Sequence, residues 1–219
     1  MMQDIDKAIY VKFKKEGYRI KKYKEHPVVE IEIIVRLGYL DVNRTIAGIN
    51  EEQRSTFEQT VALFIRNLLT SPPTNLTKFD QLHHECCQDC LASRSTKGAK
   101  IHYGQAQKLL NMSLKYLYNE YSIYKRESNI FGFPDNNIEQ FFHLPIDRQI
   151  LDFLTRKCKF NKPTLLPWSQ WEYNHYISFQ HQLRKRINKQ YCPLEIDYMT
   201  WNTSGPAIAQ AIYACANGN

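Results

Sequence analysis

This sequence lacks any long hydrophobic run. No stretch approaches the roughly 18 consecutive apolar residues of a transmembrane helix, and residues 1–6 lack the basic and then apolar pattern of a signal peptide. Internal repeats and low-complexity tracts are also absent. These absences argue against membrane-spanning, repeat and low-complexity proteins. We therefore expect a cytoplasmic chain with no membrane partner.

The sequence also lacks the paired cysteines of a structural zinc site. His83, His84 and Cys90 stand close together with Cys86 and Cys87, but no second pair of ligands follows at the spacing that zinc requires. We therefore predict no metal and no cofactor, with cysteines that pack as apolar side chains and stay thiols. A metal-dependent enzyme centred on His83, His84 and Cys90 remains the weakest alternative.

Positive charge is in excess. The chain of 219 residues has 29 Lys and Arg against 22 Asp and Glu, which gives a formal net charge of +7 and a pI of about 9.0. A basic balance suits a polyanion such as nucleic acid. Many of the cations fall in residues 1–27, where a helix is predicted for the first part and is broken near Gly17 and again at Pro27. That segment either contacts phosphates or is a solvated helix face, and the second interpretation is the simpler one.

Apolar residues recur at helical spacing through most of the chain, which predicts an all-α fold. Asn50 and Gln53 form a capping box at the start of one helix, and Ser169 and Glu172 form another. Alternating apolar and acidic residues allow either a short β-strand near residues 28–35 or a buried helix. The predicted helices span about residues 50–70, 76–93, 104–118, 147–154, 167–188, 193–201 and 204–215.

The helix that begins at Gly104 carries a lysine of chemical interest. The apolar stripe of residues 110–118 predicts that this helix is largely buried, whereas Lys108, Asn111 and Lys115 form one polar seam. Such a seam should face solvent or a cleft. We place Lys108 in the first turn, where the positive end of the helix dipole disfavours a protonated amine. A neutral lysine amine is a nucleophile.

An aspartate stands at the start of a second helix. Asp147 follows Leu144, Pro145 and Ile146 and precedes an apolar helical stripe. An aspartate at this position is a natural N-cap, and capping by itself explains it. Because Asp147 follows the Lys108 segment in the chain, it is also a candidate carboxylate partner for that lysine.

Together, Gly104–Lys108 and Leu144–Asp147 resemble two motifs of the helix–hairpin–helix superfamily of base-excision DNA glycosylases. Members with a catalytic lysine carry Gly-x-x-x-Lys at the end of a hairpin, and Val/Ile-Pro-Val/Ile-Asp at a later helix start. The archaeal-type 8-oxoguanine DNA glycosylase branch is the most similar. The resemblance covers about residues 76–156. It differs at Gln105 and Ala106, which stand where the hairpin usually has its second glycine.

The resemblance implies a single glycosylase-like unit over residues 1–219, built as a two-lobed helical domain. Lobe one would comprise about residues 1–75 and the C-terminal helices at 168–216. Lobe two, about residues 76–160, would carry the hairpin and the catalytic pair. The implied molecule is a monomer in the nucleoid-associated cytoplasm that binds double-stranded DNA with a flipped-out base.

The implied chemistry is excision of a damaged base such as 8-oxoguanine. Lys108 would attack the deoxyribose C1′ and form a Schiff base, with abasic-site lyase activity as a further step, and Asp147 would assist it. Side chains that suit contacts with DNA or the extruded base stand near these two residues or on the C-terminal helices. They are His102, Gly104, Gln105, Asn111, Lys115, Trp168, Trp171, Tyr176, Arg184 and Lys185.

Two alternatives to repair of oxidised DNA remain open. A non-catalytic helical DNA-binding or adaptor protein would use the same basic surface without chemistry. A glycosylase that removes hypermodified bases from viral DNA would serve antiviral defence. The shape of the base pocket, which sequence does not give, decides between substrates.

Overall fold

The computed structural model describes residues 31–46, 48–92, 101–127, 138–189, 191–202 and 212. These residues form helices and no β-strand, which confirms the prediction of an all-α fold. Short 3-10 helices occur at Asn43–Thr45, Ile138–Phe141 and Trp168–Gln170. The α-helices are α1 (Ile31–Val42), α2 (Glu51–Thr70), α3 (Leu76–Ala92), α4 (Tyr103–Glu127), α5 (Arg148–Cys158), α6 (Tyr173–Arg184) and α7 (Pro193–Asn202).

The short β-strand considered for residues 28–35 is wrong for residues 31–35, which begin α1. Ile34 and Val35 are both fully buried. Adjacent residues of a strand point to opposite faces, whereas adjacent residues of a helix can share one broad buried face. The core therefore selects a helix here, since α1 packs against both α4 and α2.

Local capping signals were informative at two of three helix starts. The Asn50 side chain accepts from the backbone N–H of Gln53 at 2.8 Å, and the reciprocal bond is present, so the predicted capping box is confirmed. Asp147 caps α5, as predicted. The predicted box of Ser169 and Glu172 is wrong, because Ser169 lies within a 3-10 helix and Glu172 makes no side-chain cap.

Helix α4 is the centre of the fold. It packs against α1, α2, α3, α6 and the 3-10 helix at Trp168–Gln170. Every residue from 103 to 117 is buried. The predicted polar seam facing solvent or a cleft is therefore wrong, since its three side chains lie inside the protein. Lys108 is the sixth residue of α4, so its predicted place in the first turn is wrong as well.

Gly104 allows close contact between two backbones. A Cβ atom built on this residue would lie 2.0 Å from the carbonyl oxygen of Trp168 and 3.0 Å from the carbonyl carbon of Ser169. The Gly104 N–H also donates to the carbonyl of Trp171 at 2.9 Å. The residue lies in the first turn of α4, where packing against the segment at 168–171 explains the need for glycine.

Several predicted features lie outside the described residues. They include the basic segment at 1–27, the connector at 93–100 that would form the hairpin, and the last helix, from which only Ile212 is described. The described core side chains of both predicted lobes belong to one hydrophobic cluster, so the division into lobes stays a prediction. No helix in the described ranges is long and apolar enough to cross a membrane.

The cysteines behave in two ways. Cys86, Cys87, Cys90 and Cys192 are buried free thiols. Burial raises the pKa of the Cys87 thiol well above its usual value, as expected for a packed apolar cysteine. Cys158 is disulfide-bonded, so the prediction that all cysteines are thiols is wrong at that position.

We predict that Gly104→Ala destabilises the protein by roughly 2 kcal/mol or more, because backbone atoms and not a flexible side chain occupy the space of the new methyl group. Chemical denaturation monitored by circular dichroism measures this free energy of unfolding. An unchanged unfolding midpoint would show that the backbones of α4 and residues 168–169 are not in contact.

Candidate active site

Lys108 and Asp147 form an ion pair although 39 residues separate them in the sequence. The Lys108 Nζ atom donates to Asp147 Oδ2 at 2.8 Å. The Lys108 side chain is 7% exposed and the Asp147 side chain 21% exposed, so the aspartate lies on the solvent side of the pair. The other carboxylate oxygen, Oδ1, accepts from the backbone N–H of Ile150 at 2.9 Å. Asp147 thus caps α5 with one oxygen and holds the lysine with the other.

Amide side chains from two helices hold the extended segment that leads to Asp147. Gln180 of α6 brackets Leu144, since its Nε2 donates to the Leu144 carbonyl at 2.7 Å and its Oε1 accepts from the Leu144 N–H at 3.2 Å. Gln107 of α4 donates to the carbonyl of Ile146 at 3.2 Å. These bonds fix the backbone on both sides of Pro145 and determine where Asp147 lies relative to Lys108.

A buried hydrogen-bond network continues from Gln107 into the core. Asn111 donates through Nδ2 to Gln107 Oε1 at 2.9 Å and to the Tyr176 hydroxyl at 2.8 Å. The Tyr176 hydroxyl lies 2.6 Å from His143 Nδ1, and His143 Nε2 lies 2.8 Å from Asp80 Oδ1. The network therefore connects α3, α4, α6 and the segment that carries Asp147.

The bond directions in this network follow from the donors available. Tyr176 accepts from Asn111, so its own hydroxyl hydrogen goes to Nδ1 of His143. His143 then keeps its hydrogen on Nε2 and donates it to Asp80. His83 likewise donates from Nε2 to Asn111 Oδ1 at 2.9 Å. Both histidines are consistently neutral in this scheme, each with one hydrogen on Nε2.

Burial keeps these two imidazoles uncharged. It lowers the pKa of His83 to about 4, and it also lowers the pKa of His143 to well below its usual value. The two rings are adjacent, with centroids 4.4 Å apart, so a charge on either would disfavour a charge on the other. Burial alone would raise the pKa of Asp80, but the hydrogen bond from His143 and the charge of Arg184 lower it further than burial raises it.

A second buried lysine–aspartate pair lies two turns further along α4. Lys115 Nζ is 2.6 Å from Asp197 Oδ2, and the two side chains are only 4% and 3% exposed. Lys115 also lies over the ring of Tyr198, 4.7 Å from its centroid. This pair is closed off from solvent on both partners, unlike the pair of Lys108 with the partly exposed Asp147.

Most side chains predicted to contact DNA have protein partners instead. Asn111 and Tyr176 are fully buried in the network, and Lys115 is buried with Asp197. Arg184 donates to both oxygens of Asp80 and to the Phe141 carbonyl. Asn111, Lys115 and Tyr176 therefore offer no surface to DNA in this structure, and the Arg184 side chain is 12% exposed.

The remaining predicted contacts lie around the start of α4, in the segment at 168–171 or, for Lys185, directly after α6. Gln105 accepts from the backbone N–H of His102 at 2.9 Å and donates to the Thr45 carbonyl, so it ties α4 to the end of α1. Trp171 is buried and donates to the Leu166 carbonyl at 3.2 Å. Trp168 is partly buried against the core, whereas Lys185 is exposed. Contacts of His102, Trp168 and Lys185 with DNA stay predictions.

The histidine–cysteine cluster of α3 points inward. His83 is fully buried and bonded to Asn111, and Cys87 lies 3.8 Å from its Nδ1 atom. His84 contacts Tyr173, with ring centroids 3.8 Å apart. Within the ranges that the structure describes, no group of three or more His, Cys, Asp or Glu side chains could hold a metal ion.

Sequence reasoning missed the residues that position the aspartate. His143, Gln107 and Gln180 received no role, although His143 lies directly before Leu144 in the motif. The available signal was the density of amides in α4, where Gln105, Gln107 and Asn111 fall among apolar residues. Buried amides are normally hydrogen-bonded, so such a density predicts a polar network inside the core.

The two neutral histidines predict a loss of stability in acid. The folded-state pKa values are below the unfolded-state value of about 6.5, so the unfolded chain binds more protons as the pH falls. Stability should be complete above about pH 6.5 and decrease towards pH 4, by up to about 1.4 kcal/mol per pH unit for each histidine.

Urea denaturation between pH 7 and pH 4.5 measures this dependence. His143→Gln removes one of the two titrating rings, so the slope of its unfolding free energy against pH should be about one proton smaller than that of the wild-type protein. Equal slopes for the two proteins would contradict the assignment of His143 as a buried neutral group.

Comparison with known proteins does not assign the chain to a family. No protein-family model matches it, and neither does any curated protein or any solved structure. The chemistry of its own residues is therefore the basis for the function proposed below.

Proposed function

We propose that this protein is a DNA glycosylase of the helix–hairpin–helix type, with Lys108 as the nucleophile and Asp147 as its acid–base partner. The observation that carries the proposal is the 2.8 Å contact between Lys108 Nζ and Asp147 Oδ2. The two residues were selected from separate sequence motifs, and a contact between them was a requirement of the proposed chemistry.

In the proposed reaction, Asp147 accepts a proton from the Lys108 ammonium group as the substrate enters. The neutral amine then attacks the deoxyribose C1′, the bond from C1′ to the base breaks, and the base leaves with the bonding electrons and takes up a proton. Opening of the sugar ring gives the Schiff base. Asp147 donates the proton that it accepted to the leaving base and, again as a carboxylate, stabilises the positive charge that develops on the sugar.

The environment of the pair supports this assignment. Asp147 is partly exposed and Lys108 lies behind it, so a substrate would reach the pair from the side of Asp147. The backbone around Asp147 is fixed by Gln107 and Gln180. A carboxylate held in this way is preorganised, because it does not need to reorient when charge develops.

The substrate class follows from the proposed family and from charge. The formal net charge of +7 suits DNA, and a base must leave the duplex to reach a buried lysine. We propose an oxidised purine such as 8-oxoguanine as the excised base, with a hypermodified base of viral DNA as the second candidate. Nucleoid association in the cytoplasm, base-excision repair and a monomeric state belong to the same proposal.

A non-catalytic DNA-binding protein is the second candidate. The observation that favours it is the low exposure of Lys108, which is 7%, because a nucleophile must reach the sugar. A buried ion pair can also serve structure alone, as the pair of Lys115 and Asp197 illustrates. This candidate predicts duplex binding without any covalent intermediate.

We predict that borohydride traps a covalent adduct between the wild-type protein and duplex DNA that carries a susceptible base, and that Lys108→Gln gives no adduct. Lys115→Gln is the matched control, because it removes a buried lysine of the same helix and breaks the other lysine–aspartate pair of that helix. Adduct from Lys108→Gln, or none from wild-type protein over a panel of damaged and hypermodified bases, would contradict the proposal.

The variant Asp147→Asn separates capping from catalysis. Asparagine caps helices as well as aspartate does, so the bond to the Ile150 N–H and the stability of α5 should persist. The charge that accepts the proton is lost, and we expect the single-turnover rate of base excision to fall by about 10²- to 10⁴-fold. A rate within twofold of the wild-type rate would show that Asp147 only caps the helix.

A further inference from the structure

Two adjacent leucines are exposed on the loop that follows α5. Leu165 is 98% exposed and Leu166 is 43% exposed. Within the described ranges, the other large hydrophobic residue with this degree of exposure is Leu63, on α2. Singly exposed leucines are common on soluble proteins, so the exposure of Leu165 points to a partner only together with the charge of the residues around it.

The loop that carries these leucines is anchored at both ends. Gln182 of α6 brackets Asn161, since it accepts from the Asn161 N–H at 2.9 Å and donates to the Asn161 carbonyl at 3.3 Å. At the other end, the carbonyl of Leu166 accepts from the indole N–H of the buried Trp171. The Trp171 carbonyl in turn accepts from Gly104 at the start of α4. Hydrogen bonds thus hold both ends of the loop that carries the leucines, next to the helix that carries Lys108.

The segment between Asp147 and these leucines is rich in exposed positive charge. Residues 148–166 contain one acidic residue, Asp152. They contain five exposed cations, and Asp152 pairs weakly with two of them, Arg148 and Arg156, at 3.9 Å each. The other three are Lys157, Lys159 and Lys162. Such a surface is complementary to a polyanion, and phosphates are the groups that exposed lysine and arginine side chains neutralise in nucleic acids.

We infer that the exposed face of α5 and the loop at 159–166 form a surface that binds duplex DNA, with Leu165 entering between neighbouring base pairs. The cations contact phosphates on either side, and the apolar side chain unstacks one base step, as apolar wedges do in other proteins that distort DNA. The surface begins at Asp147, so its location beside the reacting pair rests on the proposed function.

A duplex fits these observations better than a membrane does. Binding to an anionic membrane surface uses a broad apolar face along a helix. Here the apolar part is two residues at the tip of an anchored loop, whereas the exposed face of α5 is charged. An apolar tip of two residues among cations suits insertion at a single base step, with the cations on the phosphates, better than it suits burial in a bilayer.

The first test is equilibrium binding of the full chain to a duplex that contains 2-aminopurine, whose fluorescence rises when it is unstacked. Leu165→Ser should weaken binding roughly tenfold, from the loss of one buried leucine, and should abolish the fluorescence rise. Leu63→Ser is the matched control, because it removes an exposed leucine on another helix. Equal affinities and equal fluorescence for the two variants would overturn the role of Leu165.

The second test uses the salt dependence of the same binding. The double variant Lys157→Gln/Lys162→Gln should reduce the slope of log affinity against log salt by about 2, since each phosphate contact contributes about 0.9. Lys78→Gln, on the exposed side of α3, is the charge control and should leave the slope unchanged. A wild-type protein that binds anionic vesicles but no duplex would overturn the inference.

These binding experiments do not require turnover, so they separate the two proposals. Normal DNA binding with the predicted effects of Leu165→Ser, but no borohydride adduct, would support the DNA-binding surface and would reject Lys108 as the nucleophile. An adduct through Lys108 together with wild-type affinity in both surface variants would support the reaction and reject this surface.

Discussion

The burial of α4 over residues 103–117 is the constraint on which the rest of the structure depends. A helix that is buried on all sides is usually apolar on all sides, yet α4 carries amides and lysines among its buried residues, including Gln107, Lys108, Asn111 and Lys115. Each buried polar group costs stability unless it finds a partner. The elements around α4 therefore have to supply those partners, and this requirement determines where several of them pack.

The amides of α4 explain how a distant aspartate reaches Lys108. Gln107 bonds to the backbone just before Asp147, and Asn111 connects Gln107 to Tyr176 and through it to His143. His143 belongs to the same extended segment as Asp147 and is held by Asp80. The segment is thus held along its length by bonds to the central helix and its neighbours. A substitution in this network should therefore alter the geometry of the ion pair between Lys108 and Asp147.

The two lysine–aspartate pairs of α4 show why burial alone does not identify a reactive lysine. Both pairs are short and both remove charge from water, which is costly and is weak support for stability by itself. The two pairs differ in how far solvent reaches the aspartate. Asp197 is enclosed with Lys115, whereas Asp147 stands at the surface, at the start of a helix whose exposed face is basic. That difference is the reason why we propose the pair of Lys108 and Asp147, and not the pair of Lys115 and Asp197, for chemistry on an external substrate.

The sequence by itself determined the helical class, most helix boundaries and two of the helix caps, because these depend on interactions within a few residues. It also singled out Lys108 and Asp147 through two short motifs. Only the tertiary structure decided that the seam of Lys108, Asn111 and Lys115 is buried, that Gly104 serves backbone packing, and that His143 and Gln107 position the aspartate. The physical reason is distance along the chain: the hydrogen bonds that join Tyr176 to Asn111 and His143, and His143 to Asp80, connect residues 33 to 65 positions apart. No local pattern specifies which of many buried polar groups will meet.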